Sequence, residues 1–237
     1  EAFTDPEHYD DVSPYTDPDE TPHDLFKIGH TSTSISLALG LAKARDLRGG
    51  HENIIAVIGD GSMSGGEALE GLNVAGELDS NFIIVFNDNQ RSIAENHGGM
   101  YDLFKELRES SGAAPDNLFK AMGLDYVYVN DGNDTEALIA AFKQVKDIDH
   151  PIVVHINTLK GKGYEPALKD EEAWHWHGPF DIATGQSLSD GPAPESYANL
   201  AGEYLLKRAE TDENLLVVAS AVPFALGMSP ERRELMG

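Results

Sequence analysis

Asn53-Ile54-Ile55-Ala56-Val57-Ile58-Gly59-Asp60-Gly61-Ser62 and, after one helix length, Asn81-Phe82-Ile83-Ile84-Val85-Phe86-Asn87-Asp88-Asn89 are two short apolar runs that each stop on small polar residues. Neither run alternates apolar with polar. That pattern belongs to strands buried on both faces, as in parallel sheets. Between them, Gly65 to Leu78 places Leu69, Leu72, Ala75 and Leu78 at helical spacing. Upstream, Thr31 to Leu47 is Ala- and Leu-rich and stops at Gly49-Gly50, which predicts another helix. Downstream, Met100 to Met122 is helical and loop-rich, Asp125 to Val129 reads as a strand, and Asp134 caps a helix to Lys146. Pro151 to Asn157 reads as a further strand. The order predicts an α/β fold with a mostly parallel sheet and helices on both faces.

Leu159 to Gln186 lacks periodicity and is rich in Gly, Lys, His, Trp and Pro, the composition of a long functional loop or of disorder. A lid that orders around a ligand is expected across residues 159–195. Residues 186–196 read as a linker. Tyr197 to Ala209 then reads as a helix and Leu215 to Ala219 as a strand. The expected division is a first domain over 1–185, the linker, and the opening of a second domain over 197–237.

The chain of 237 residues carries 41 acids and 17 bases, a net charge of −24. Nucleic acid and anionic membrane demand a basic surface, so both are excluded as partners. The absence of cysteine excludes disulfides, zinc-thiolate sites and a cysteine nucleophile. No apolar run approaches the roughly 20 residues of a membrane span. No basic-then-apolar signal segment opens the chain, so a cytoplasmic protein is expected. Residues before Lys27 contain nine acids and no Lys or Arg, and read as an acidic, loop-like lead-in.

The chemistry concentrates at the two strand ends. In open parallel sheets ligands bind at the carboxyl edge. Gly59 and Gly61 permit a tight turn and close approach of backbone to an anion. The helix that follows can aim its N-terminus at the same place. Asp60 and Asn89 are hard oxygen donors of the kind Mg²⁺ takes, with a backbone carbonyl, phosphate oxygens and water completing its shell. A lone Gly-Asp-Gly is more often a simple turn; the Asn-Asp-Asn after the next strand favours the ligand site. His30 lies in Gly29-His30-Thr31-Ser32-Thr33-Ser34-Ile35-Ser36, at a helix mouth with several hydroxyls, where an ionisable imidazole can serve a substrate. Lys160 and Lys162 alternate with Gly161 and Gly163, as in a backbone fitted closely to something. Trp174-His175-Trp176-His177 suits a metal poorly. Tyr126 and Tyr128 read as ordinary strand residues, and Glu106-Leu107-Arg108-Glu109 as a solvated helix face.

Taken together, these stretches resemble the 1-deoxy-D-xylulose 5-phosphate synthases, thiamine-diphosphate enzymes of the transketolase type. Gly59-Asp60-Gly61 with the Asn-bearing strand end is similar to the thiamine-diphosphate fingerprint. Residues 29–36 resemble the family's Gly-His-Ser/Thr-Ser-Thr-Ser segment, and Asn87-Asp88-Asn89-Gln90-Arg91-Ser92-Ile93 its metal loop. Thr158-Leu159-Lys160-Gly161-Lys162-Gly163 and His175 to Asp181 resemble two further family segments. The resemblance covers most of residues 9–237 and implies a thiamine-diphosphate-binding fold. It implies that Asp60, the Asn89 side chain and the Arg91 carbonyl bind Mg²⁺, and that the backbone of Gly61 and Ser62, beside Gly59, holds the diphosphate. His30 and Ser32 would line the thiazolium and substrate side, Lys160 would lie near the cofactor and His175 near the substrate.

The implied activity decarboxylates pyruvate and adds the two-carbon unit to glyceraldehyde 3-phosphate, an isoprenoid-precursor reaction carried out by a homodimer. Alternatives are a transketolase-like transferase with another donor or acceptor, and a non-catalytic module of the same fold. Three departures stand out. Arg91 replaces the family's usual Met, Asn96-His97-Gly98-Gly99 differs from the usual Asn-Val-Gly, and His177 competes with His175 as the active-site histidine. In the family a glutamate of the second domain activates the cofactor. Neither Glu231 nor Glu234 fits that role, so the acid is expected beyond Gly237 and the chain alone is expected to be inactive.

Overall fold

The structure, a computed structural model, describes residues 6–11, 13–188, 195–219 and 222–236. Four strands form the sheet: β1 (Ile55–Gly59), β2 (Phe82–Asp88), β3 (Asp125–Val129) and β4 (Pro151–Asn157). All pair in parallel, in the spatial order β1-β2-β4-β3. Gly59 lies opposite Asn87, and Asp88 opposite Asn157, so the strand ends meet at one edge.

The connections explain which face each helix takes. From β1 to β2 and from β2 to β3 the chain steps in one direction across the sheet; from β3 to β4 it steps back. Right-handed crossovers therefore put the first two sets of helices on one face and the third on the other. On the first face lie α1 (Ser34–Leu47), α3 (Gly66–Ala75), α4 (Gly99–Glu109) and the single turn α5 (Leu118–Ala121). They bury Ile35, Leu39, Leu72, Phe104 and Phe119 against Ile58, Ile84, Phe86 and Val153. On the second face α6 (Thr135–Val145) sets Ala141 and Val145 against Ile83, Val85, Val154 and Ile156. The odd and even residues of β2 thus serve different cores, as the strand pleat requires. Among the described helices α6 alone packs on that face, and Ile55 and Val57 of edge strand β1 stay 52% and 62% exposed.

At the amino edge a buried cation holds the sheet. Arg45, at the end of α1 and 2% exposed, donates from Nη1 to the Glu52 carbonyl at 2.8 Å and the Asn81 carbonyl at 2.7 Å. Its Nη2 donates to Asp46 and Ser80. Asn53 and Asn81, expected as the first strand residues, lie just outside the strands. Their side chains bond each other and the Ile54 and Asp147 amides, standing in for ladder bonds.

Beyond β4, residues 159–188 contain α7 (Glu165–Lys169) and a 3-10 turn at Ala173–His175. They build an aromatic cluster of their own, with Trp174 stacked on His177 at 4.3 Å and edge-on to Phe180 at 4.8 Å. Part of the expected linker, residues 189–194, lies outside the described residues. The expected helix at Tyr197 is α8 (Tyr197–Ala209), followed by a 3-10 turn at Pro223–Leu226 and by α9 (Pro230–Met236). Gly202 of α8 meets the Gly227 backbone so closely that a Cβ there would collide with its carbonyl. Leu215 to Ala219, expected as a strand, forms none. Leu216 and Val218 are each 82% exposed, and none of the described strands pairs with the segment, so its backbone has no ladder to join. No helix among the described residues is long and apolar enough to cross a membrane.

Replacing Arg45 with Ala should leave the Glu52 and Asn81 carbonyls and Asp46 without their donor. A loss of about 3 kcal/mol in unfolding free energy is expected from urea titration. A loss of less than about 0.5 kcal/mol, the size of an ordinary surface substitution, would show that the clamp is dispensable.

Candidate functional site

The carboxyl edge opens into a cleft of about 1010 Å³. β1 ends directly in a one-turn helix, α2 (Asp60–Met63), and β2 ends in the loop 89–96. A Cβ at Gly61 would collide with the Ser92 side chain, so the α2 turn and the 89–96 loop can touch only because residue 61 is glycine. Gly65, similarly, leaves room for the Ser32 side chain at the start of α3.

Asp60 sits at the floor, 2% exposed. Its Oδ1 accepts the Gly61 N–H and its Oδ2 the Asn96 side-chain amide, each at 3.0 Å, and Asn96 accepts from Ser92 Oγ at 2.6 Å. No Lys, Arg or His pairs with Asp60 among the described residues. Burial, with the nearby Asp88 charge adding to it, pushes its carboxyl up to about 7 against the backbone bond from Gly61.

Asp88 is buried too but differently served. Arg108 of α4 donates to its Oδ2 at 2.6 Å, and His155 of β4 lies 3.0 Å from the same oxygen. Burial alone would raise Asp88; the His155 hydrogen bond and the Arg108 charge outweigh it and hold the group below the usual carboxylate range. Burial keeps His155 neutral. With an ionised Asp88 accepting from Nε2–H, the His155 Nδ1 must accept, and it takes the Tyr126 O–H at 2.7 Å. Tyr126 and Arg108 therefore depart from the sequence reading. A strand tyrosine and a residue in a charged helical run both turn inward, because a buried carboxylate and a buried imidazole need partners.

The residues singled out from sequence distribute unevenly. Gly59, Asp60, Gly61, Ser62, Asn89, Arg91, Lys160 and His175 all line the cleft. Asn89 Oδ1 accepts the Arg91 N–H at 3.1 Å, which fixes the loop in a tight turn. Arg91 is neutralised by Glu171 at 2.6 Å and Glu95 at 3.3 Å. Lys160 Nζ donates to the Ser92 carbonyl at 2.9 Å and lies 3.1 Å from His175 Nδ1. His177 instead packs in the aromatic cluster. His30 and Ser32 do not line the cleft, although Thr31 between them does. His30 Nδ1 meets the Thr31 carbonyl at 2.6 Å, and Ser32 adopts a left-handed backbone with φ of 72°.

Reasoning from sequence missed Ser92, Asn96, Glu171, Glu172 and Arg233. Glu172 and Arg233 of α9 form a two-pronged ion pair at 2.8 and 2.9 Å on the cleft wall. Nothing in local sequence marks that pair. His155 did carry a signal, as the one ionisable residue inside an apolar strand.

The family model for the N-terminal part of 1-deoxy-D-xylulose-5-phosphate synthase matches residues 1–114 and 108–158. The chain belongs to the 1-deoxy-D-xylulose-5-phosphate synthase family. A synthase of Geobacter sulfurreducens is 37% identical over 95% of this chain and 41% of its own length. Synthases of Geobacter metallireducens and Desulfitobacterium hafniense are each 38% identical over 89% of the chain and 40% and 39% of theirs. The chain thus spans about 40% of the length of the curated synthases it matches. A solved structure from Mycobacterium smegmatis, assigned as a thiamin diphosphate-dependent enzyme, matches with a TM-score of 0.41 and 20% identity over 55% of this chain and 22% of its own.

Asp60 carries a sign that solution experiments can read. Its folded pKa, about 7, lies above the ordinary 3.8, so the folded chain keeps a proton that the unfolded chain releases. Stability contributed here is present at low pH and falls as pH rises from about 4 toward 7. Asp60→Asn should flatten that fall. Without divalent cations the variant should match the parent near pH 4 and exceed it at about pH 8 by on the order of 4 kcal/mol in urea unfolding. Parallel pH profiles for the two chains would refute the assignment.

Proposed function

We propose that this chain is the diphosphate- and metal-binding part of a thiamine-diphosphate-dependent 1-deoxy-D-xylulose 5-phosphate synthase. In this reading the whole enzyme, a cytoplasmic homodimer, condenses pyruvate, with decarboxylation, and glyceraldehyde 3-phosphate for isoprenoid-precursor synthesis. The observation that carries it is a buried Asp60 with no cationic partner among the described residues, facing the same cleft as Asn89 and the Gly61–Ser62 turn.

The residues present fit a bound Mg²⁺. Asp88 beside it already has Arg108 and His155, so the uncompensated charge is Asp60's alone. A carboxylate, the Asn89 amide oxygen and the Arg91 carbonyl form an all-oxygen set, which Mg²⁺ prefers. Among the described residues no group of three His, Cys, Asp or Glu is arranged to hold a metal. When bound, thiamine diphosphate supplies the stabilised carbanion that makes decarboxylation possible. Asp60 and Asn89 anchor the cation, and the Gly61–Ser62 backbone receives the diphosphate. Lys160 and His175 wall the side toward the substrate, while His30 and Ser32 flank the cleft-lining Thr31 in sequence. Glu231 and Glu234 are exposed on α9, so neither sits in a dry site as an activating acid would.

Calorimetry with thiamine diphosphate and Mg²⁺ tests the assignment. The parent chain should bind in a Mg²⁺-dependent manner, and Asp60→Ala should lose that binding by at least about a hundredfold, near 3 kcal/mol, while its circular dichroism stays native. Unchanged affinity in the variant would remove Asp60 from the metal. Proton exchange at the thiazolium carbon should run no faster with this chain than with free cofactor; acceleration by orders of magnitude would mean that an activating acid is already present.

A further inference from the structure

Two side chains in the cleft are arranged in a way that the reading above does not use. Lys160 leaves β4 on the loop that follows it and reaches back under the 89–96 loop. Its ammonium is held between the Ser92 carbonyl, 2.9 Å away, and His175 Nδ1, 3.1 Å away. A lysine ammonium carries three donors and no acceptor, so both partners must accept from it. The Ser92 carbonyl can only accept. His175 Nδ1 must then offer its lone pair, which leaves the ring proton on Nε2. Nε2 has no hydrogen-bond partner among the described residues, and the ring is exposed to the cleft that it lines.

We propose that Lys160 is a positioning residue for His175: anchored on the Ser92 carbonyl, it fixes the imidazole as the Nε2–H tautomer and presents an N–H donor to an oxygen of the bound ligand. His30, which does not line the cleft, shows the contrast. Its Nδ1 faces the Thr31 carbonyl, an obligate acceptor, so a neutral His30 carries its proton on Nδ1 and offers Nε2 as an acceptor. The two imidazoles are thus set as a donor and an acceptor by what their Nδ1 atoms meet.

The surroundings support an ammonium that remains charged beside a neutral ring. The charged groups facing the pair are Arg91 and Asp60 from the loops after β2 and β1, Glu171 and Glu172 from the His175 loop, and Arg233 from α9. Burial and then the Lys160 charge lower the His175 pKa, which favours the neutral ring. Burial lowers Lys160 as well, with Glu171 opposing it. Trp174, just before His175, stacks on His177 and meets Phe180 edge-on, so the chain is held on both sides of His175, which limits how far the ring can swing from Lys160. An N–H donor in that place suits a carbonyl or carboxylate oxygen. That the ligand is a 2-keto acid rests on the function proposed above; the tautomer does not.

The test reads the tautomer directly. In the chain labelled with ¹⁵N-histidine, long-range ¹H–¹⁵N correlation spectra at a pH where the ring is neutral separate the two forms, and His175→Gln identifies the resonances. The parent chain should show His175 as a single Nε2–H species. Lys160→Met should convert it to a mixture with a measurable Nδ1–H population, and Lys160→Arg, which also can only donate, should restore the single form. An Nδ1–H or mixed ring in the parent, or a Lys160→Met spectrum identical to the parent's, overturns the proposal. The measurement needs no cofactor. A fixed tautomer in a chain that calorimetry shows not to bind thiamine diphosphate would therefore sink the proposed function and leave this one standing.

Discussion

Two carboxylates at the carboxyl edge, Asp60 and Asp88, set the terms for everything around them. Both are nearly inaccessible, and charge in a medium of low dielectric must be matched or discharged. Asp88 is matched from within the fold by Arg108 of α4 and His155 of β4, with Tyr126 of β3 completing the chain. That network ties three elements to the last residue of β2 and so fixes where the 89–96 loop departs. Among the described residues Asp60 receives only uncharged donors. The asymmetry leaves one carboxylate matched by charge from within the fold and the other held by neutral donors, with its carboxyl pushed up to about 7.

The loop after β2 is then tied on its outer side. Asn89 closes its turn, Ser92 and Asn96 connect it to Asp60, and Arg91 and the Ser92 carbonyl connect it to the segment bearing Glu171 and His175. Arg91 is more than offset by two acids, Glu171 and Glu95, so it adds a tether and no excess positive charge to the 89–96 loop. α9 adds a second ionic contact through Arg233 and Glu172. The amino edge, by contrast, is held by Arg45 bonding main-chain carbonyls, where no ligand is served. One edge of the sheet is stabilised for its own sake and the other is held open.

Sequence periodicity determined the α/β class, the parallel sheet, the bounds of β3 and β4, and the Asp134-capped helix α6, because apolar runs and caps are local signals. It also placed Asp60 and Asn89 at one edge, since parallel strands share their carboxyl ends. Local sequence could not decide that Arg108 and Tyr126 turn inward, that His175 and not His177 faces the cleft, or that Arg233 reaches Glu172. Those outcomes depend on which buried charge lies across a gap, and partners such as Asp88 and His155 are 67 positions apart in the chain. Leu215 to Ala219 failed as a strand for a related reason: an apolar run becomes a strand only when another backbone is there to accept its hydrogen bonds. Local patterns specified the elements; the pairing of groups that cannot be buried alone was settled only when the tertiary structure brought them together.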